Sequence, residues 1–254
     1  MPSASLQPSV IDSYWQNELV NRRIAGLFPT PPIPNLHISC FGVIPKKHQP
    51  GKWRLILDLS SPTGASVNDG IPKDRFSVQY MSVDDVISGI MIYGRGTLMA
   101  KFDIESAYQI VPVHPDDLFL LGIQWRGSFF VDLALPFGLR SAPFIFTAIE
   151  DLLEWIVRHN YNVVFLKHYL DDFHTLGPPN SSQCEQSLAA CIKLSADWGV
   201  PLHPDKLEGP STVMTVLGIE LDSVALQARL PKEKFDRIMG LLDKWSCKIG
   251  RAHV

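Results

Sequence analysis

Residues 163–177 read VVFLKHYLDDFHTLG, two apolar runs of strand length joined across a short step that carries Asp171 and Asp172. Such runs, rich in β-branched and aromatic residues, predict a strand, a tight turn and a second strand, with both aspartates at the turn. Turns favour Asp for local reasons, so an Asp-Asp apex taken alone reads first as a solvated acidic turn. Its meaning depends on what the rest of the chain brings to it.

The segment TLMAKFD, residues 97–103, predicts a short buried strand that ends on a third carboxylate, Asp103. Three carboxylates brought together repel one another and are driven towards protonation unless a cation neutralises them. All-oxygen ligation suits Mg²⁺ or Mn²⁺ rather than zinc. Two such ions about 3.5–4 Å apart can clamp the attacking and leaving oxygens of an in-line phosphoryl transfer.

Further from the apex, SCFGVI (39–44) and WRLILDLS (53–60) are strand-like and flank the polar turn PKKHQPGK (45–52). LFLLGIQW and SFFVDLAL, joined by Arg126-Gly127, predict a hairpin. Residues 11–25 predict a helix with Ile11, Trp15, Leu19 and Ile24 near one face, and FPTPPIPN (28–35) cannot continue it. Ser82 with Asp85 resembles a capping box opening a helix over 83–93. Residues 141–159 have helical spacing with Phe144, Ala148, Leu152 and Trp155 in register. A further helix over 181–198 carries the stripe Cys184, Leu188, Cys191 and Leu194, closed by Trp198 as a core residue and Gly199 as a cap. TVMTVLGIEL (212–221) and VALQARL (224–230) predict a final hairpin, and Pro231 starts a last helix. The β-α-β-β-α-β-like alternation, with helices on an antiparallel sheet, is an α+β arrangement.

The 254 residues are 46% hydrophobic and 19% charged, a composition that builds a sizeable folded core. No apolar run approaches the roughly 18 residues of a membrane helix. MPSASLQPSV has neither the basic start nor the apolar middle of a secretory signal. Cys40, Cys184, Cys191 and Cys247 show no CxxC spacing, so buried thiols in a reducing, intracellular compartment are expected. The net charge of −3 is unevenly spread. Residues 1–60 carry six Lys or Arg against three acids, residues 103–185 four against eleven, and residues 226–254 seven against three. Basic flanks around an acidic centre suit a polyanion gripped at its edges, and an uneven surface without function has the same pattern.

The segments KFDIESAY (101–108), LPFGLRSAPFIF (135–146), HYLDDF (168–173), PDK (204–206) and LGIEL (217–221) follow one another in order. This series resembles the ordered motifs of reverse transcriptases, and PKKHQPGKWR running into LILDL looks like their fingers hairpin. The resemblance extends from about Pro45 to Leu242. Within the class, GKWRLILDLSSPTGASVNDGIP (51–72), LPFGLRSAPFIF and HYLDDFHTLGPP (168–179) look most like the polymerases of DIRS-type retrotransposons.

The resemblance implies a right-hand polymerase fold. Fingers would span 1–80 and 111–140, the palm 81–110 and 141–222, and the start of a truncated thumb 223–254. It implies an RNA-directed DNA polymerase that adds deoxynucleoside triphosphates to a primer on an RNA or DNA template, uses two Mg²⁺ ions (Mn²⁺ possible), and has no membrane partner. Asp103, Asp171 and Asp172 match the metal ligands, and Ile104 would lend a backbone carbonyl. Tyr108 matches the bulky gate that crowds a ribose 2′-hydroxyl, and a packed core aromatic is the other reading. Lys46 or Lys47, with Arg54, match the basic residues that hold the triphosphate. Gly138 lets the backbone approach nucleotide and template. Phe137 stands where retroviral enzymes usually carry Gln, and a phenyl ring cannot hydrogen-bond the sugar. Lys206 matches a lysine thought to protonate the leaving pyrophosphate. Leu217, Gly218 and Ile219 match the primer grip, and Tyr169 and Leu170 would also touch primer or template. Arg140 would contact template phosphate or cap the following helix.

Two other readings stay open at this point. One is a catalytically silent retroelement remnant that only binds nucleic acid, suggested by the short thumb. The other is a nucleotidyl cyclase, against which the fingers turn, the LPFG segment and the primer-grip hairpin all count.

Overall fold

The computed structural model describes residues 2–46 and 51–249, and the chain divides into two compact units. The first unit is Met1–Gln79 with Ser106–Glu150, and the second is Tyr80–Glu105 with Asp151–Val254. The segments 106–110 and 141–150 cluster with the first unit.

In the first unit the helix Pro8–Val20 is shorter than its apolar pattern predicts. The chain turns at Arg22, whose φ is +56°, and Ile24 opens the strand Ile24–Phe28. Ile24 has the spacing of a helical residue but is taken up by pairing with Asp132, so sheet formation overrides the local pattern. That strand is one edge of an antiparallel sheet in which Ser128–Asp132 is central and Gly122–Trp125 the other edge. The hairpin between the last two turns on Arg126 and Gly127, at φ +48° and +79°. Two positive φ values match the twist of the flanking strands, as the sequence predicts. The helix buries Ile11 and Trp15 against this sheet. Trp15 stacks on Phe130 with ring centres 5.7 Å apart and meets Phe41 edge-on at 5.3 Å. Phe41 belongs to the predicted hairpin Cys40–Pro45 with Trp53–Asp58, whose register sets Ile44 opposite Arg54.

The second unit is built on a four-stranded antiparallel sheet ordered Leu166–Tyr169, Asp172–Gly177, Leu98–Asp103, Glu208–Ser211. The 163–177 stretch forms the hairpin its sequence predicts. Phe102 and Phe173 stack across the two central strands, centres 4.8 Å apart and nearly parallel. The helix Gln183–Trp198 lays Cys184, Leu188, Cys191 and Leu194 inward, and burial pushes the Cys184 and Cys191 thiols up to about 12. These two are inert core thiols, whereas Cys40 is exposed, on the edge of a two-stranded hairpin. Gly199 caps the helix at φ +68°, but Trp198 is exposed rather than core. The helix Val83–Tyr93 opens with the predicted box, the Ser82 N–H donating to the Asp85 carboxylate at 2.7 Å.

Two further sequence expectations are corrected. In the helix Ala142–Asn160 the buried stripe is Ala142, Phe146, Leu153 and Val157, while Phe144, Leu152 and Trp155 are exposed. Both stripes have helical period, so spacing alone could not choose between them. The last hairpin is a three-stranded meander, Val213–Val216, Ile219–Asp222 and Gln227–Arg229. Its extra turn forms at Leu217 and Gly218, both with positive φ. The helix Lys232–Ile249 follows Pro231 and exposes Phe235, Ile238, Met239, Leu242 and Trp245. No helix among the described residues is long and apolar enough to cross a membrane.

Candidate active site

Asp103 ends its strand and stands in register opposite Asp172, the first residue of the neighbouring strand. Opposed residues of an antiparallel pair face the same side with Cβ atoms about 4.5–5.5 Å apart. Asp171 lies beside them in the two-residue turn, next to Leu170 at φ +51°. A left-handed leucine costs on the order of 1 kcal/mol, so neighbouring bonds must hold the turn. They do: the Ile104 N–H donates to the Asp171 carbonyl at 2.9 Å, and the His203 N–H donates to the Asp103 carbonyl at 2.9 Å. The apex is thereby tied to the end of the Asp103 strand, and both to the segment that carries Lys206.

Asp103 is buried, at 5% exposure, and its Oδ2 accepts a hydrogen bond from Lys206 Nζ at 2.5 Å. The lysine head itself is half-exposed. Burial raises the Asp171 pKa above the ordinary carboxylate range, and the charge of Asp103 raises it further. Lys206 opposes that rise, and Asp172 adds to it. Three carboxylates therefore share one ammonium. His174 is buried with Nε2 3.6 Å from Asp172 Oδ2, and neither ring nitrogen has a hydrogen-bond partner among the described residues. His168 Nε2 lies 3.1 Å from Asp151 Oδ1 on the neighbouring helix.

As the side chains are placed, no three His, Cys, Asp or Glu groups among the described residues close on a single ion. The donor chemistry nonetheless fits a hard divalent cation. The set is all oxygen, negative charge outweighs positive, and Asp171 carries like-charge repulsion that a cation would relieve.

Other predicted residues of this unit lie in the apex hairpin and in the last meander. The Tyr169 ring packs on Tyr80 with centres 4.9 Å apart. Leu217 and Gly218 form the turn before Ile219, and Lys234 Nζ donates to the Gly218 carbonyl at 3.0 Å.

The first unit holds the remaining candidates. Tyr108 is buried between Phe137, at 4.8 Å, and Phe146, at 5.3 Å, while Phe137 is more than half exposed. Gly138 has φ +101°, and a Cβ there would sit 2.8 Å from the Leu57 carbonyl oxygen, so only glycine fits. Arg140 Nη1 donates to the carbonyls of Asn68 and Ile71, which makes the guanidinium a strut between its own loop and the 68–71 turn. Arg54 and Lys46 are exposed on the hairpin, and Lys46 N–H donates to the Lys52 carbonyl at 2.8 Å. Lys47 lies outside the described residues.

Sequence reasoning missed Asn68. It is buried, donates from Nδ2 to Ser60 Oγ and the Gly138 carbonyl, and accepts from the Arg140 N–H. Asn68 thus fastens the whole LPFGLR loop. Its only sequence signal was membership of the turn-like run SVNDG.

An antiparallel sheet carrying paired aspartates at one strand end and a hairpin apex defines a palm-type nucleotidyl-transfer fold. The sequence profile of the family described as reverse transcriptase (RNA-dependent DNA polymerase) matches residues 44–221, and the chain belongs to that family. Among known proteins it is 28% identical over 167 residues to the Pro-Pol polyprotein of Simian foamy virus type 1, covering 65% of this chain and 13% of that one. It is 24% identical over 175 residues to Polyprotein P3 of Commelina yellow mottle virus, covering 69% of this chain and 8% of that one. The chain thus spans only a small fraction of these relatives. The fold is similar to the foamy viral protease-reverse transcriptase dRH in complex with double-stranded DNA, with a TM-score of 0.70 at 21% identity, over 91% of this chain and 36% of that one. The same protease-reverse transcriptase in complex with an RNA/DNA hybrid gives 0.70 at 20% identity, over 92% and 28%.

Proposed function

We propose that this domain is a template-directed DNA polymerase that adds deoxynucleotides to a primer 3′-hydroxyl. The observation that carries the proposal is the register of Asp103 against Asp172, with Asp171 bonded through its carbonyl to Ile104. Asp103, Asp171 and Asp172 would hold two Mg²⁺ or Mn²⁺ ions, with the Ile104 carbonyl as a further oxygen. When bound, such ions stabilise charge on the attacking and leaving oxygens. Lys206 pairs with Asp103 and, once released from it, donates a proton to the departing pyrophosphate. Tyr108 crowds the sugar, with Phe137 packed against it and Gly138 leaving room for backbone approach. Arg54 with Lys46 or Lys47 receives the triphosphate, a fork suiting phosphate oxygens better than a point charge.

On this reading residues 1–80 and 111–140 serve as fingers and residues 81–110 and 141–222 as palm, with residues 223–254, which include the helix Lys232–Ile249, as the start of a thumb. Template and primer would lie along Tyr169, Leu170 and the Leu217–Ile219 turn, and Arg140 would act on the template through the loop it braces. The nucleic-acid complexes of the foamy viral relatives favour a duplex or hybrid partner. The DIRS-like motifs favour a retrotransposon origin. No observation favours a silent remnant.

The test is incorporation of labelled deoxynucleotide with Mg²⁺ or Mn²⁺, with and without primer annealed to RNA or DNA template. Incorporation only in the presence of primer and template is expected. A cyclic product from nucleotide alone would replace this reading with a cyclase.

A further inference from the structure

Tyr108 sits in a tight turn, Ala107–Ile110, that the chain enters through Ser106 at φ +61°. A non-glycine residue in that conformation persists only where its surroundings over-determine it. Here a single guanidinium does so. Arg23 Nη2 donates to Ser106 Oγ at 3.1 Å, before the tyrosine, and Nη1 donates to Gln109 Oε1 at 2.9 Å, just after it. Gln109 Nε2 in turn donates to Glu18 Oε2 at 3.1 Å, and Glu18 Oε1 lies 3.6 Å from Arg23 Nη1. The three side chains close a ring, and Glu18 is 3% exposed.

Arg23 is itself fixed by backbone bonds. Its N–H donates to the Glu18 carbonyl at 3.0 Å, and its carbonyl accepts from the Leu133 N–H at 2.8 Å. On its other side the Tyr108 ring is backed by Phe137 and Phe146.

We propose that Arg23, acting with Glu18 and Gln109, is a positioning device for Tyr108, so that the segment preceding the family match at residue 44 helps set which sugar the site accepts. The inference rests on the reading of Tyr108 as the sugar gate. A gate discriminates by occupying space that a 2′-hydroxyl needs, so its selectivity depends on how little the ring can retreat. Ring contacts limit sideways movement, whereas the Arg23 fork limits movement of the turn that carries the ring. A planar fork presents two nitrogens in fixed geometry to Ser106 and Gln109 together, a preorganisation that lysine's single ammonium lacks.

The test uses Gln109→Leu, which leaves the Arg23–Glu18 pair in place, together with Arg23→Lys and Tyr108→Ala. Primer extension with each deoxynucleotide and its ribonucleotide gives the ratio of kcat/KM values. Hydrogen exchange reports the amides of Gln109 and Val111, which bond the Ser106 and Tyr108 carbonyls. For Gln109→Leu the expected loss of discrimination is about fivefold, the change one net hydrogen bond supports. The change should lie in the ribonucleotide KM, with deoxynucleotide kcat within about twofold and those two amides exchanging faster. Arg23→Lys should move both readouts in the same direction. Parental discrimination and exchange in both variants, with Tyr108→Ala relaxed, would overturn the clamp and leave the gate standing. Unchanged discrimination in Tyr108→Ala would instead remove the gate, and the exchange rates would still report whether the clamp holds the turn.

Discussion

Replacing Asp171 by Asn keeps the shape of the apex and removes one of three crowded charges. Two effects of opposite sign follow. Burial and the Asp103 charge raise the Asp171 pKa above its ordinary value. A carboxyl with a raised folded-state pKa leaves stability intact below the ordinary carboxylate range, and that stability is lost as pH rises through the raised value. At neutral pH the ion-free parent therefore carries a cost that the Asn variant lacks. Asp171 is partly exposed, so solvent screening keeps the gain small. In chelator the Asn variant should therefore unfold at a slightly higher temperature than the parent. Added Mg²⁺ should reverse the order. At ten times its Kd an ion bound only by the folded state contributes about 1.4 kcal/mol, a gain available to the parent and largely denied to the variant. Primer extension should fall by well over the 10–100-fold typical of outer-shell changes at a metal. The assays are thermal unfolding in chelator and across a Mg²⁺ series, and extension of a labelled primer. An Asn variant that extends primer at the parental rate, with the same Mg²⁺ response, would falsify the carboxylate cage.

The other expectations concern residues whose surroundings are equally specific. Lys206→Met should lower kcat by about 10²–10⁴-fold if the ammonium is the proton donor. Single-turnover rates check this, and a rate lowered only a fewfold would leave Lys206 as a charge partner for Asp103. Gly138→Ala puts a methyl 2.8 Å from the Leu57 carbonyl at φ +101°, and should destabilise by about 1–3 kcal/mol in urea unfolding. Unaltered stability would mean that the loop has room to move. Burial, aided by the Glu18 charge, pushes the Asp132 carboxyl up to about 8. Parental stability should therefore fall as pH rises from the ordinary carboxylate range to about 8, and Asp132→Asn should flatten that slope. Urea midpoints at successive pH values decide it, and parallel slopes would show that Asp132 ionises freely.

Much of this was legible in the chain because its signals are local. The hairpin over 163–177, the Arg126-Gly127 turn, the box at Ser82 and the apolar strand ending at Asp103 depend on near neighbours, and each formed as the pattern implied. Ile24 and the Ala142–Asn160 helix were misread for the converse reason. Their periodicity fits two outcomes, and distant partners selected one: pairing with Asp132 in the first case, burial of Phe146 and Leu153 in the second.

Local pattern was enough to set which carboxylates stand at strand ends and which segments follow them in family order. Tertiary structure alone decided that Asp103 meets Asp172 in register, that Lys206 spans the chain to reach Asp103, and that Asn68, Arg23 and Glu18 brace loops far from them in order. Separation along the chain accounts for the difference. Strand register and buried hydrogen bonds are settled by what else fills the same volume, and no window of neighbouring residues contains that information.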